Sequence, residues 1–255
     1  MQPFIEVAID SLPSAQAAVS GGANRLELAA NLADGGTTPS AGLIELVRSL
    51  AAIDLFVLIR PRRGDFLYAP GEIRLMKREI EFAKSLGANG IVAGALTADG
   101  EVDQSHTAQL IAAAHPLPFT FHRAFDMLAD PAAALEVLIE LGCARVLSSG
   151  QSPSAYAGRA LLAKLVAQSA GRLVVMPGAG ITPENIGEIW AATKAQEFHL
   201  SAKTPVESQM RYRNPNAVMG SQPPLSEFSW FMTSAHQVAA AHLGLANRQS
   251  STPTL

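Results

Sequence analysis

Gly22-Ala23-Asn24-Arg25-Leu26-Glu27, Gly87-Ala88-Asn89-Gly90-Ile91-Val92 and Gly142-Cys143-Ala144-Arg145-Val146-Leu147 are three versions of one local pattern. In each, a glycine in the left-handed conformation ends a helix and a short turn feeds an apolar strand. The pattern returns every second strand–helix unit. Before the eighth strand it lapses, because Thr193-Lys194-Ala195-Gln196 has no glycine. Outward from these turns, strands are expected at 5–9, 25–30, 55–61, 90–97, 119–124, 145–150, 173–178 and 197–202. Each run is short, mostly apolar and stopped by Gly, Pro or polar residues, as strands covered on both faces should be. Helices are expected at about 13–21, 40–50, 71–86, 103–114, 131–141, 158–170, 183–192 and 225–244. Thr38-Pro39, Asp130-Pro131 and Thr182-Pro183 each put a capping side chain before a proline at the first helical position.

Eight such units with right-handed crossovers predict an α/β fold, a single (β/α)8 TIM barrel with parallel strands, ahead of a doubly wound sheet. The barrel is expected to occupy residues 1–246. Residues 203–224 read as a long loop after strand eight, a class of loop that is either functional or disordered. Residues 247–255 read as a disordered tail.

The bulk properties agree with one domain. At 255 residues the chain can bury roughly 70–75% of its unfolded surface without a disulfide or structural metal. A net charge of −3 and a pI near 6.1 argue against nucleic-acid and anionic-membrane partners, which favour basic surfaces. Cys143 is the only cysteine, so no intrachain disulfide can form. With neither a signal-peptide pattern nor a long apolar run, the expected location is the cytoplasm.

In a barrel, alternate strand residues face the interior, and those at the C-terminal strand ends line the mouth. Placing Ile5, Val7 and Ile9 outside turns Glu6 inward; Leu26 and Leu28 do the same for Glu27. Arg60 precedes the proline that stops strand three. Strand five supplies His122, with Arg123 and Asp126 just beyond; strand six ends in Ser148-Ser149-Gly150; strand eight carries His199 and Ser201. Taken singly, Glu27 reads equally as an ion-pair partner of Arg25 or Arg60, and His199 as a satisfied core imidazole. As a set they converge on one end, and buried charges are costly unless paired or used. Pro177-Gly178-Ala179-Gly180-Ile181-Thr182 adds a glycine turn after strand seven, where barrels commonly bind phosphate. The expected acid–base residues are therefore Glu6, Glu27, His122 and Asp126. Arg60, Arg123, Ser149, Gly178, Gly180, His199, Ser201 and Arg211 are the expected anion contacts, with no metal ligands assigned.

Several segments together resemble the CutC family of copper homeostasis proteins. They are Arg25-Leu26-Glu27-Leu28, Gly35-Gly36-Thr37-Thr38-Pro39-Ser40, Ile59-Arg60-Pro61-Arg62-Arg63-Gly64-Asp65-Phe66, Phe119-Thr120-Phe121-His122-Arg123-Ala124-Phe125-Asp126, Arg145-Val146-Leu147-Ser148-Ser149-Gly150, Gly178-Ala179-Gly180-Ile181 and Met210-Arg211-Tyr212-Arg213-Asn214. The resemblance runs from residue 5 to about 244. It implies a cytoplasmic barrel that self-associates as a dimer or tetramer, and a link to copper tolerance and Cu(I) binding. Cu(I) prefers thiolates and thioethers, yet Ala29 and Leu67 stand where many members of that family carry cysteines. Met127, Met176 and Met210 are the thioethers considered as a source of sulfur, with core or loop packing as their simpler role. Residue chemistry alone gives a second expectation: an acid–base enzyme acting on a small anionic, phosphorylated sugar-like metabolite.

Overall fold

The computed structural model describes residues 3–50, 52–214, 216 and 227–249. Eight parallel strands run β1 (Phe4–Ile9), β2 (Arg25–Leu28), β3 (Asp54–Leu58), β4 (Gly90–Ala93), β5 (Phe119–Phe121), β6 (Arg145–Ser148), β7 (Val174–Pro177) and β8 (Glu197–Leu200). Hydrogen-bonded neighbours follow chain order from β1 to β7, and β8 pairs with β1. β7 packs beside β8 without a ladder between them, so the barrel is nearly closed, with one seam.

The helices α1 (Leu12–Ser20), α2 (Ala41–Arg48), α3 (Pro70–Ser85), α4 (Gln104–Ala114), α5 (Pro131–Glu140), α6 (Arg159–Ser169), α7 (Ile186–Thr193) and α8 (Ala235–Gln249) form the outer layer. Residues such as Ile5, Val7, Leu26, Leu28, Val57, Ile91, Val146 and Phe198 are buried between strands and helices in one large core. A second, small apolar cluster of Ala29, Phe56, Leu58 and Val92 comes from the opposite strand faces and occupies the lumen. Charged and polar side chains share the lumen with this cluster, and that places the site.

The glycine turns behave as their spacing implies. Gly22, Gly87 and Gly142 have φ of +88°, +88° and +82°. After them, the Asn24 and Asn89 amide oxygens accept from Ile5 and Leu55 N–H at 2.8 and 2.9 Å, tying each turn to the neighbouring strand. Before β8 the same left-handed turn is made by Lys194 at φ +57°, which is why no glycine marks it.

Three local expectations are corrected. Asp130 caps α5 as anticipated, but Thr38 and Thr182 do not cap: α2 is capped by Ser40 and α7 begins only at Ile186. The span 203–224 is not all loop, since β9 (Lys203–Glu207) pairs antiparallel with β10 (Ser229–Thr233). That hairpin displaces the start of the last helix from 225 to Ala235: Trp230, Phe231 and Thr233 favour a strand, and Ser234 accepts from Val238 at the helix entry. Residues 247–249 belong to α8, while the rest of the expected tail lies outside the described residues. Among the described residues, no helix is long and apolar enough to cross a membrane.

Candidate functional site

The lumen has a floor and a mouth. At the floor, where strands begin, Arg25 of β2 donates to Glu6 and to Glu197, both at 2.5 Å. Arg145 of β6 donates to the same Glu197 at 2.7 Å. Both guanidinium groups lie over the Phe56 ring, with centroid distances of 4.6 and 5.2 Å. Gly90 makes this possible, because a Cβ there would stand 2.4 Å from Phe56. Every charged group of the floor has a charged partner.

One layer higher, His199 Nδ1 lies 2.7 Å from Glu6 Oε1 and 4.0 Å from Glu27 Oε2. The two carboxylates, one strand apart, end in opposite states. Burial would raise Glu6, but the His199 hydrogen bond and the charges of Arg25 and His199 hold it at about 2. Glu27 has only the longer contact. Burial, helped by the charge of Glu6, pushes it up to about 7 against His199 and Arg25. Burial disfavours the His199 imidazolium, yet Glu27 and Glu6 outweigh that and raise its pKa.

His122 follows β5 and opens the 3-10 turn Arg123–Met127. Its Nδ1 accepts from Ala124 N–H at 3.3 Å, so the neutral ring carries its proton on Nε2. Burial and then the charge of Arg60 push its pKa down to about 3, keeping it neutral. Gly94 leaves room for the ring, because a Cβ there would lie 2.9 Å from Nδ1. Arg60 donates to the Asp34, Gly36 and Gly64 carbonyls at 2.9–3.1 Å. Thr38 fixes its backbone: Thr38 Oγ1 accepts from Arg60 N–H, and Thr38 N–H donates to Arg60 O. The threonine expected to cap a helix holds an arginine at the mouth instead.

Glu27, Arg60, His122, Arg123, His199 and Ser201 line a single cavity of about 1110 Å³, roofed in part by Trp230 and Phe231 of the β9–β10 hairpin. Three buried atoms of this set have no hydrogen-bond partner: Glu27 Oε2, Arg60 Nε and His122 Nε2. Such atoms are rare in native structures, and a cluster of them in a cavity marks where a ligand completes the bonding. Gly180, at φ +64°, lines the same cavity after β7.

The other expected residues are placed differently. Asp126 accepts from Ser148 Oγ at 2.6 Å, Ser149 N–H at 3.0 Å and Arg123 Nε at 2.8 Å, so its oxygens are committed to the end of β6. Ser149 is fully buried in that clamp and also receives Arg123 at 3.2 Å. Asp126 and Ser149 therefore orient Arg123 and lie off the cavity wall. Gly178 faces the lumen, where a Cβ would meet Leu147 at 2.5 Å; its smallness serves packing. Arg211 is exposed on the segment after β9 and is not part of the cavity wall. Sequence reading left out Arg145 and Glu197, and considered Arg25 only as a partner of Glu27. The signal was present: Arg25-x-Glu27, Arg145-x-Leu147 and Glu197-x-His199 share the inward parity already used for the mouth.

Copper does not fit this chain's own donors. Ala29 and Leu67 offer no ligand atom. Cys143 is buried in the turn before β6, at the floor end, and burial pushes its thiol up to about 12. Met176 Sδ accepts from Arg25 at 3.6 Å, while Met127 and Met210 are exposed on separate segments. Glu6, Glu27 and His199 bring ligand-type atoms within 4.8 Å of one another. They are hard or borderline donors, however, and Glu6 is already occupied by Arg25 and His199, with Glu27 at the longer contact of 4.0 Å.

The comparisons with known proteins decide the family. The CutC family model matches residues 4–204. The chain belongs to the CutC family. It is 49% identical over 235 residues to a human protein named copper homeostasis protein cutC homolog, covering 92% of this chain and 86% of the relative. It is 50% identical over 240 residues to the family protein CutC of Chromobacterium violaceum, covering 94% and 97% of the two chains. A crystal structure of CutC from Streptococcus agalactiae superposes with a TM-score of 0.75 at 32% identity, covering 78% of this chain and 98% of that one. The CutC barrel expected from the residues is the one observed.

Proposed function

We propose that this CutC-family protein contributes to copper homeostasis, the role its relatives' names carry, without holding copper at its barrel mouth. The mouth instead binds a small anionic metabolite and works by acid–base chemistry. The observation that carries this reading is that Glu27, Arg60 and His122, which line one cavity, each keep a buried atom without a hydrogen-bond partner: Oε2, Nε and Nε2. Glu27, with a pKa of about 7, suits a general base, whereas Glu6, held at about 2, suits a fixed carboxylate. Neutral His122 supplies a hydrogen-bond donor, and Arg60 and Arg123 supply positive charge. The expected setting is a cytoplasmic homo-oligomer with neither nucleic-acid nor membrane partners.

Two measurements test the reading. Anaerobic Cu(I) titration against a competing chelator should give no binding tighter than micromolar; tighter binding would overturn the copper part. Inorganic phosphate and sugar monophosphates should raise the melting temperature, since a ligand at 100 times its Kd adds about 2.7 kcal/mol. If none does, or if Arg60→Ala keeps the full shift, the anion site is lost.

A further inference from the structure

The mouth pairs two kinds of group from facing walls. β2 and β5 stand three strands apart in the ring, so Glu27 and His122 approach a ligand from different sides. The His122 proton sits on Nε2, because Nδ1 accepts from Ala124, and that N–H has no acceptor. Arg60 spends its terminal nitrogens on three carbonyls and leaves Nε unpartnered. Two donors and one carboxylate oxygen, each buried in a residue that lines the cavity, are thus without a protein partner, a set that suits a ligand reaching them with an acceptor oxygen next to a removable proton.

A second wall suits an anion. Ala179 and Gly180 after β7, and Ala202 after β8, take left-handed backbone conformations. The backbone N–H groups of Gly180, Ile181, Ser201 and Ala202 have no acceptor among the described residues, and all four residues line the cavity. Convergent backbone N–H groups in such turns hold phosphate oxygens.

We propose that this mouth removes a proton from the carbon next to the carbonyl of a small phosphorylated hydroxy-carbonyl compound, with Glu27 as the base and His122 Nε2–H bonded to the carbonyl oxygen. This deepens, and rests on, the acid–base anion reading above. The Glu27 carboxylate takes the proton, the C–H electron pair becomes the carbon–carbon double bond, and the carbonyl pair moves onto oxygen. There the N–H groups of His122 and Arg60 stabilise the developing charge. Return of the proton from Glu27 to carbon completes the cycle, so no oxidant, reductant or metal enters the balance. A neutral imidazole suits this task, because an imidazolium would hand over its proton instead of sharing it with the enolate. Glu6 and His199 are positioning residues, holding a charged pair beside Glu27.

The test follows hydrogen–deuterium exchange at the α-carbon in D2O by NMR. The probes are triose, tetrose, pentose and hexose monophosphates and their unphosphorylated counterparts. At least one phosphorylated probe should exchange, and its unphosphorylated counterpart should exchange much more slowly. The rate should rise with pH as Glu27 loses its proton, around 7. The groups facing Glu27 are Glu6 from β1, Arg25 from β2 and His199 from β8, while Asp10, Arg60, His122, Arg123 and Lys203 line the same cavity. Glu27→Gln should lower exchange by about 100-fold or more while the probe still raises the melting temperature; His122→Gln should do the same. Stabilisation by sugar phosphates without exchange in the unmodified protein would overturn the inference and leave the anion site standing. Failure of every phosphate compound to bind would remove both. Exchange unaffected by Glu27→Gln would also overturn it.

Discussion

Floor and mouth of the barrel are built from the same residue types but differ in bonding. At the floor, Arg25 and Arg145 clasp Glu6 and Glu197 between aromatic rings, and each charge meets its opposite. At the mouth, Glu27 of β2, Arg60 after β3 and His122 after β5 each keep a buried atom without a hydrogen-bond partner, whereas at the floor Arg145 keeps one such atom, Nη1, beside its ion pair. The contrast between Glu6 and Glu27 is the sharpest form of it. Both are buried on inward faces, yet one carboxyl sits at about 2 and the other at about 7. Ion-paired charges hold the floor together; buried atoms left without a partner at the open end are stability given up for a ligand.

The largest expected effect comes from breaking the floor. Arg25→Ala leaves Glu6 and Glu197 without their shared partner and should cost about 3–5 kcal/mol, read by denaturant unfolding. A loss under about 1 kcal/mol would mean that the floor is not the structural half.

Glu27→Gln should act in the opposite direction. The folded pKa of about 7 lies above the unfolded value near 4.5, so the folded state holds the extra proton between them. The penalty of the buried carboxylate builds as pH rises from about 4.5 to about 7 and is complete above that. The variant should therefore match the parent near pH 4.5 and exceed it at pH 8 by on the order of 3 kcal/mol, given about 1.4 kcal/mol per pKa unit. At about 2–4 °C per kcal/mol, melting curves at the two pH values resolve this.

Gly90→Ala should cost about 1–3 kcal/mol by pressing a Cβ into Phe56, without altering phosphate-induced stabilisation. His122→Gln should change little at pH 8. At pH 5 it should gain about 1–2 kcal/mol, because a folded pKa of about 3 makes the parent lose stability as pH falls below 6.5. Arg211→Ala, on an exposed segment off the cavity wall, should leave both stability and phosphate response unchanged within about 0.5 kcal/mol.

Much of the barrel was legible because its signals are local. Gly22, Gly87 and Gly142 mark helix ends through a backbone conformation that side chains resist, and inward parity at Glu6, Glu27 and His199 follows from the period of a strand. The β9–β10 hairpin was missed because 21 residues separate its two strands, far more than a tight hairpin turn, and Trp230-Phe231-Met232 reads as easily as an apolar helix face. Thr38 was misassigned because Thr-Pro before a helix is a good capping signal, and its hydrogen bond to Arg60 is 22 positions away in sequence. Asp126 was expected among the acid–base residues because nothing local reveals that Ser148 and Ser149 would close on it.

By itself, then, the sequence determined eight strand–helix units, the inward placement of the charged residues and membership of a recognisable family. Only the tertiary structure decided which inward groups meet. β1 lies between β2 and β8, so Glu6 receives Arg25 from one neighbour and His199 from the other, while Glu27 is left with a 4.0 Å contact. Side-chain parity is a property of one strand, but pairing belongs to three, and a carboxyl's affinity for its proton depends on what surrounds it once the ring has formed.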